Sequence, residues 1–180
     1  MMRWALLLLG GVLLGGIVHL ATILWLPRTA TQDAYARLTP AATQINKMVP
    51  LPAASPQNAA IPFMDPAFAV AICRYDLSKG PIKFTSPISP AYTSVSFYTR
   101  NGVAYYAIND RAAGRRIIEL SLMTSEQREQ LPAEEDVTAA DRLIVESPSK
   151  VGLIVLRALA PEPAMMPMVR NTVAAAQCRS

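Results

Sequence analysis

The chain has 180 residues, 52% apolar and 17% charged, with a formal net charge of +4. Its basic residues are spread along the chain without interleaved aromatics, which argues against nucleic acid as a partner. The single histidine lies inside an apolar segment, and the two cysteines stand far apart, so a His-ligated metal site in the soluble part is excluded and no cofactor is expected.

From Trp4 to Leu26 no residue is charged. Those residues would make a helix of about 34 Å, enough to cross a hydrocarbon layer of about 30 Å. Trp4 and Trp25 fall near the two ends, where amphipathic rings settle at the headgroups. The run is too long for the apolar part of a signal peptide, and Pro27-Arg28 follows where cleavage would occur, so residues 1–28 read as an uncleaved transmembrane anchor. Gly11, Gly15, His19 and Thr22 share one helical face. That stripe reads either as a contact for another helix or as ordinary membrane-helix composition with His19 reaching the interface. The bilayer itself is the expected first partner. A start this short stays inside, which places the rest of the chain on the periplasmic side of an inner membrane.

Residues 29–61 read as a short helix over Thr31–Leu38, capped by Thr31 or Asp33, followed by a proline-rich connector that holds the domain off the membrane. The soluble domain is expected over residues 62–180, beginning near Pro62-Phe-Met-Asp-Pro66. Its strands are expected at 67–74, 82–84, 92–99, 103–108, 117–123, 142–146 and 151–159. In Tyr92–Thr99, Thr93, Val95 and Phe97 point one way while Tyr92, Ser94, Ser96 and Tyr98 point the other. Asn101-Gly102 reads as a two-residue hairpin turn. Thr124 and Gln127 form a capping-box pattern for a brief helix that Pro132 ends. Met165, Met168, Val169, Thr172, Val173 and Ala176 share a face of a terminal helix packed on the sheet. The fold class is mostly β, a single β-sandwich or partly open barrel with a short C-terminal helix.

Three polar groupings could carry chemistry. Arg74, Tyr75 and Asp76 end an apolar strand; they could bind an anionic or hydroxylated ligand, although turn anchoring is the commoner role of such residues. Tyr105 and Tyr106 precede Asp110, and with Tyr92 and Tyr98 across the hairpin they could line an aromatic pocket or form a stabilising ladder. Adjacent strand positions face opposite ways, so only one of the two tyrosines is expected to share a face with any given polar neighbour. Cys73 and Cys178 would bridge in an oxidising compartment, or else stay as buried thiols. Catalytic residues are not identifiable, since any nucleophile would lack a histidine base.

The segments Pro62-Phe-Met-Asp-Pro66, Ala71-Ile-Cys-Arg-Tyr-Asp-Leu77 with Gly80-Pro81, Tyr98-Thr-Arg-Asn-Gly102 and Tyr106-Ala-Ile-Asn-Asp-Arg-Ala112 occur in an order that resembles the bacterial domain of unknown function 1254 family, in its short form with an N-terminal membrane helix. The resemblance extends to Ala160-Pro-Glu-Pro163 and the late cysteine. It implies a β-rich domain that longer relatives join to a second one, domain of unknown function 1214. It brings no catalytic residues. The expected function is therefore a non-catalytic, single-pass envelope protein whose β domain assembles with a partner, either a separately encoded 1214-type protein or a second copy. The alternative is an envelope enzyme or small-ligand receptor built around Arg74, Tyr75, Asp76, Tyr98, Tyr106 and Asp110.

Overall fold

The structure, a computed structural model, describes residues 2–29, 33–53, 55, 64–112, 116–131 and 143–180, with the backbone alone for 27–29. Thr31, Pro62, Phe63, Pro132 and Arg142, used above as a cap, a domain start, a helix end and a strand start, lie outside the described residues.

Two units follow each other, residues 1–33 and 34–180. The first is α1 (Met2–Thr29). Its Met2–Leu26 span has a mean hydropathy of 2.2 and none of it is buried, which makes it a helix able to cross a membrane by length and composition. The Thr22 hydroxyl donates to the Val18 carbonyl at 2.8 Å, which satisfies it within its own helix. Gly11 and Gly15 face open space.

In the second unit, α2 (Ala34–Arg37) leads to β1 (Met48–Pro50), β2 (Phe68–Asp76), β3 (Ile82–Pro87), β4 (Tyr92–Thr99), β5 (Ala104–Asn109), β6 (Ile117–Thr124), α3 (Ser125–Glu129), β7 (Leu143–Ser147), β8 (Val151–Leu159), α4 (Met166–Ala174) and β9 (Gln177–Arg179). The strands form one sheet in the order β1-β2-β8-β4-β5 and another in the order β7-β6-β3-β9. This is a two-sheet arrangement and not a closed barrel. Only β6 and β7 pair in parallel among the described strands.

The core between the sheets takes alternate residues of each strand. Cys73 lies opposite Ile154, Ala71 opposite Leu156, and Val95 and Phe97 follow on β4. From the second sheet Ile82, Phe84, Ile118, Leu120 and Leu122 face them, all at most 2% exposed. As the alternation in β4 requires, Thr93, Val95 and Phe97 are buried while Tyr92, Ser94, Ser96 and Tyr98 are not. Val169 and Val173 bring α4 onto this core, and Ala176 extends its face, whereas Met168 is 45% exposed. The chain then ends in β9 instead of continuing as helix, and Cys178 is bonded to Cys73 with Cα atoms 6.5 Å apart. The bridge therefore joins one sheet to the other.

The connector differs from expectation in its described part. From residues 34–51, Leu38, Ala42 and Leu51 pack on Val70, Ile72, Leu153 and Val155 over the outer face of the first sheet, while Met48 joins the core between the sheets. Covering these side chains removes apolar surface from water, which an extended tether would leave exposed. β1 pairs with β2 as an edge strand, a place where Pro50 is tolerated. Ile45 bridges to Arg74, and the Asn46 side chain both donates to the Asp76 carbonyl at 3.0 Å and accepts from the Asp76 N–H at 2.7 Å. The compact unit that holds the strands spans Ala34–Ser180.

The β4–β5 hairpin forms, but its turn has three residues, Arg100-Asn101-Gly102. The Thr99 N–H donates to the Val103 carbonyl at 2.9 Å, closing the loop around them. Gly102 alone of the three has a positive φ, +84°, as a three-residue loop ending in a left-handed glycine requires. The capping box at α3 is present in full, with Gln127 N–H to Thr124 Oγ1 at 3.3 Å and Thr124 N–H to Gln127 Oε1 at 3.0 Å.

Candidate functional site

Arg74 and Tyr75 are neighbours on β2, so their side chains leave the sheet on opposite faces. Arg74, 7% exposed, lies under the 34–51 segment. Its guanidinium donates to the Ala42 carbonyl at 3.0 Å and stacks 4.1 Å above the Tyr35 ring, a cation–π contact. Its Nε has no hydrogen-bond partner among the described residues. Asp76 accepts from the Ser78 N–H at 2.8 Å, capping the turn Leu77–Lys79. The hydrogen bonds from Ser78 hold its carboxyl below the usual range.

Tyr75 points the other way and is fully buried. Its hydroxyl lies 2.9 Å from Ser147 Oγ, 3.0 Å from the Tyr105 hydroxyl and 3.4 Å from the Tyr98 carbonyl. Ser147 Oγ donates to the Ser149 carbonyl at 2.6 Å. One hydrogen per hydroxyl then gives a consistent chain: Tyr105 donates to Tyr75, Tyr75 to Ser147, and Ser147 to the backbone. β2 and β5 of one sheet and β7 of the other meet at this point. Burial pushes the Tyr105 phenol far above its ordinary value, so it acts as a donor and not as a base.

Tyr105 reaches this place because the β4–β5 register slips. Phe97 pairs with Tyr106 but Tyr98 pairs with Ala104, which leaves Tyr105 as the extra residue of a bulge. Both tyrosines consequently pack against Phe97, at ring-centroid distances of 6.2 Å for Tyr105 and 5.9 Å for Tyr106.

Of the six candidate ligand residues, Tyr75 and Tyr106 face the core between the sheets. Arg74 and Tyr98 belong to the opposite face, where Tyr98 packs against the outer apolar cluster. Asp76 caps a turn, and Asp110 opens the short turn after β5 with its Oδ1 buried and unpartnered among the described residues. The six do not converge on one cleft. Sequence reasoning left out Ser147, Tyr35 and Gly152. Gly152 had a signal: an isolated glycine inside an apolar strand marks a close approach, here by Tyr75. Among the described residues no three His, Cys, Asp or Glu side chains gather as a metal would need.

A family profile described as "Protein of unknown function (DUF1254)" matches residues 45–180. The chain belongs to the DUF1254 family. The matched region begins at Ile45, so the family domain takes in the outer-face segment from that residue onward. Among solved structures, the VPA0106 protein from Vibrio parahaemolyticus is similar at 13% identity and a TM-score of 0.60, over 82% of this chain and 34% of that one. An uncharacterized protein from Burkholderia cenocepacia aligns at 11% identity and a TM-score of 0.49, over 69% of this chain and 34% of that one. The first likeness shows that this DUF1254 chain shares its fold. The chain spans about a third of the length of both. A comparison with curated proteins finds no match.

Proposed function

We propose that this DUF1254 protein is a non-catalytic, single-pass component of the cell envelope. In this reading α1 crosses the inner membrane, and the β unit stands on the periplasmic side and assembles with a partner chain. The exposed stretch Trp4–Leu26 of α1, which carries no charged residue, supports the anchor. The Cys73–Cys178 bond suits an oxidising compartment.

The observation that carries the assembly reading is β5. Among the described strands it is an outer edge of its sheet, it runs Ala104-Tyr-Tyr-Ala-Ile-Asn109 without a charge or proline, and in this reading its outward backbone groups pair with a strand of the partner. Arg74, Tyr75 and Asp76 meanwhile direct polar groups to the Ala42 carbonyl, to Ser147 and Tyr105, and to the Ser78 N–H inside the domain, which supports binding through surface over binding in a cleft. The partner proposed is a β-rich chain, either the 1214-type protein that the resemblance implies or a second copy.

The experiment is size-exclusion chromatography with light scattering on the full chain in mild detergent, alone and mixed with a purified 1214-type protein, for wild type and Ala107→Lys. A stable assembly that the lysine abolishes is expected. Monomer in both settings would overturn the reading.

A further inference from the structure

We infer that the partner at β5 is a second copy of this chain, paired antiparallel with Ile108 at the two-fold axis; this rests on the reading that the β unit assembles through that edge. Among the described strands the other outer edges are guarded. β1 and β9 span three residues each, one with Pro50 and the other with Arg179, and β7 carries Glu146, which is ion-paired to Arg128. Short length, proline and charge keep an edge from pairing with another chain. β5 has six residues, and its one interruption is the bulge at Tyr105, which leaves Tyr106–Asn109 in regular register.

That register decides how two such edges meet. The Thr99 N–H donates to the Val103 carbonyl at 2.9 Å, so Thr99 turns its backbone groups toward β5. By alternation Phe97 and Val95 do the same, toward Tyr106 and Ile108. Ala107 and Asn109 then direct their N–H and C=O groups away from β4. A two-fold axis sets these outward groups against the same groups of the second copy. With Ala107 on the axis the next bonded pair would need Tyr105, which the bulge takes out of the ladder. With Asn109 on the axis it would need Arg111, which lies in the turn after β5. With Ile108 on the axis, Ala107 of each copy faces Asn109 of the other, and both pairs exchange their backbone bonds inside the regular stretch.

The strand also tolerates its own copy in charge and shape. Ala104–Asn109 carries no charged residue, and in this register Asp110 falls opposite Tyr106, so no charge meets itself. Ile108 is half-buried opposite Val95 and packs against the core between the sheets. The two Ile108 side chains then cover each other across the junction.

Both cysteines of the chain are bonded to each other, so an introduced cysteine supplies the sole free thiol. Full-length Ile108→Cys and Ala104→Cys are each oxidised gently in mild detergent and run without reductant. Residues opposed as Ile108 would be have Cα atoms about 4.5 Å apart, within the reach of a disulfide. A covalent dimer of Ile108→Cys is expected, and none of Ala104→Cys, whose copies lie far apart in this register. Should Ile108→Cys fail to fold, tagged Ala107→Cys is mixed with untagged Asn109→Cys; a mixed covalent dimer is expected, neither variant alone gives one, and its absence overturns the inference. Monomer by light scattering, both alone and with a 1214-type protein, overturns the assembly reading and this inference together. Assembly with the 1214-type protein but no Ile108 cross-link overturns this inference alone, as does cross-linking of Ala104→Cys as readily as Ile108→Cys.

Discussion

Gly152 lies directly beneath the phenol of Tyr75: a Cβ at position 152 would overlap the Tyr75 ring and hydroxyl and the Tyr98 carbonyl. Backbone and a fully buried ring bound the space, so nothing flexible can yield. Gly152→Ala is expected to cost about 2–4 kcal/mol through overpacking and loss of the hydroxyl chain. A chemical-denaturation midpoint shift of that size checks it. An unchanged midpoint would mean that Tyr75 has room the structure does not show.

The hydroxyl chain itself can be weighed separately. Tyr75→Phe keeps the ring and removes the link between Tyr105 and Ser147, leaving two buried hydroxyls without their partner. A loss of about 1–3 kcal/mol is expected, and Gly152→Ala should cost less in that background, because the hydroxyl overlap and the chain are already gone while the ring carbon and the Tyr98 carbonyl still oppose a Cβ.

Alkaline pH probes Tyr105. Its folded pKa is raised above the unfolded value of 10.0, so the folded state holds its proton more tightly. The resulting stability is fully present below pH 10 and declines as pH rises toward the folded pKa, by at most about 1.4 kcal/mol per pH unit for one proton. Unfolding midpoints measured between neutral pH and pH 11 should fall more steeply for wild type than for Tyr105→Phe. Parallel curves would refute the assignment.

Reduction tests the cross-link between the sheets. Cys73 and Cys178 are separated by 105 positions, and a bridge over a long loop typically stabilises by about 2–5 kcal/mol. Thermal unfolding with and without reductant should differ accordingly, and thiol titration of the unreduced, denatured protein should find none. Two free thiols there would remove the bridge from the account.

Arg74 governs the segment over the outer face. Arg74→Ala deletes the bond to the Ala42 carbonyl and the stack on Tyr35 together, an expected loss of about 2–4 kcal/mol. Hydrogen exchange should quicken at residues 34–51 well before it does in β4 or β8. Uniform quickening would show that Arg74 serves the whole core.

Much of the domain could be read from residue order. Period-two alternation placed β4, a capping box placed α3, and apolar runs placed β2, β6 and β8. What escaped was decided by partners distant in sequence. β1 and β9 span three residues each, too short for any periodicity, and exist because β2 and β3 offer edges. Residues 40–51 looked like part of a tether because proline content reports stiffness and not docking. Yet β2 carried a clue in its unbroken run Ala69-Val-Ala-Ile-Cys73, since a strand apolar on both sides needs cover on both faces. For the candidate site, composition singled out the right strand end. It could not foresee that a one-residue bulge turns Tyr105 inward to Tyr75, or that Ser147, 72 positions away from Tyr75, completes the chain.

The Cys73–Cys178 bond also makes most of the β unit a closed covalent ring. β3 through β8 lie inside it, while β1, α2 and α1 form a tail that leaves it at β2. A single proteolytic nick anywhere in the ring would open it without shedding either fragment. Damaged molecules would keep both fragments together and betray the cut only after reduction.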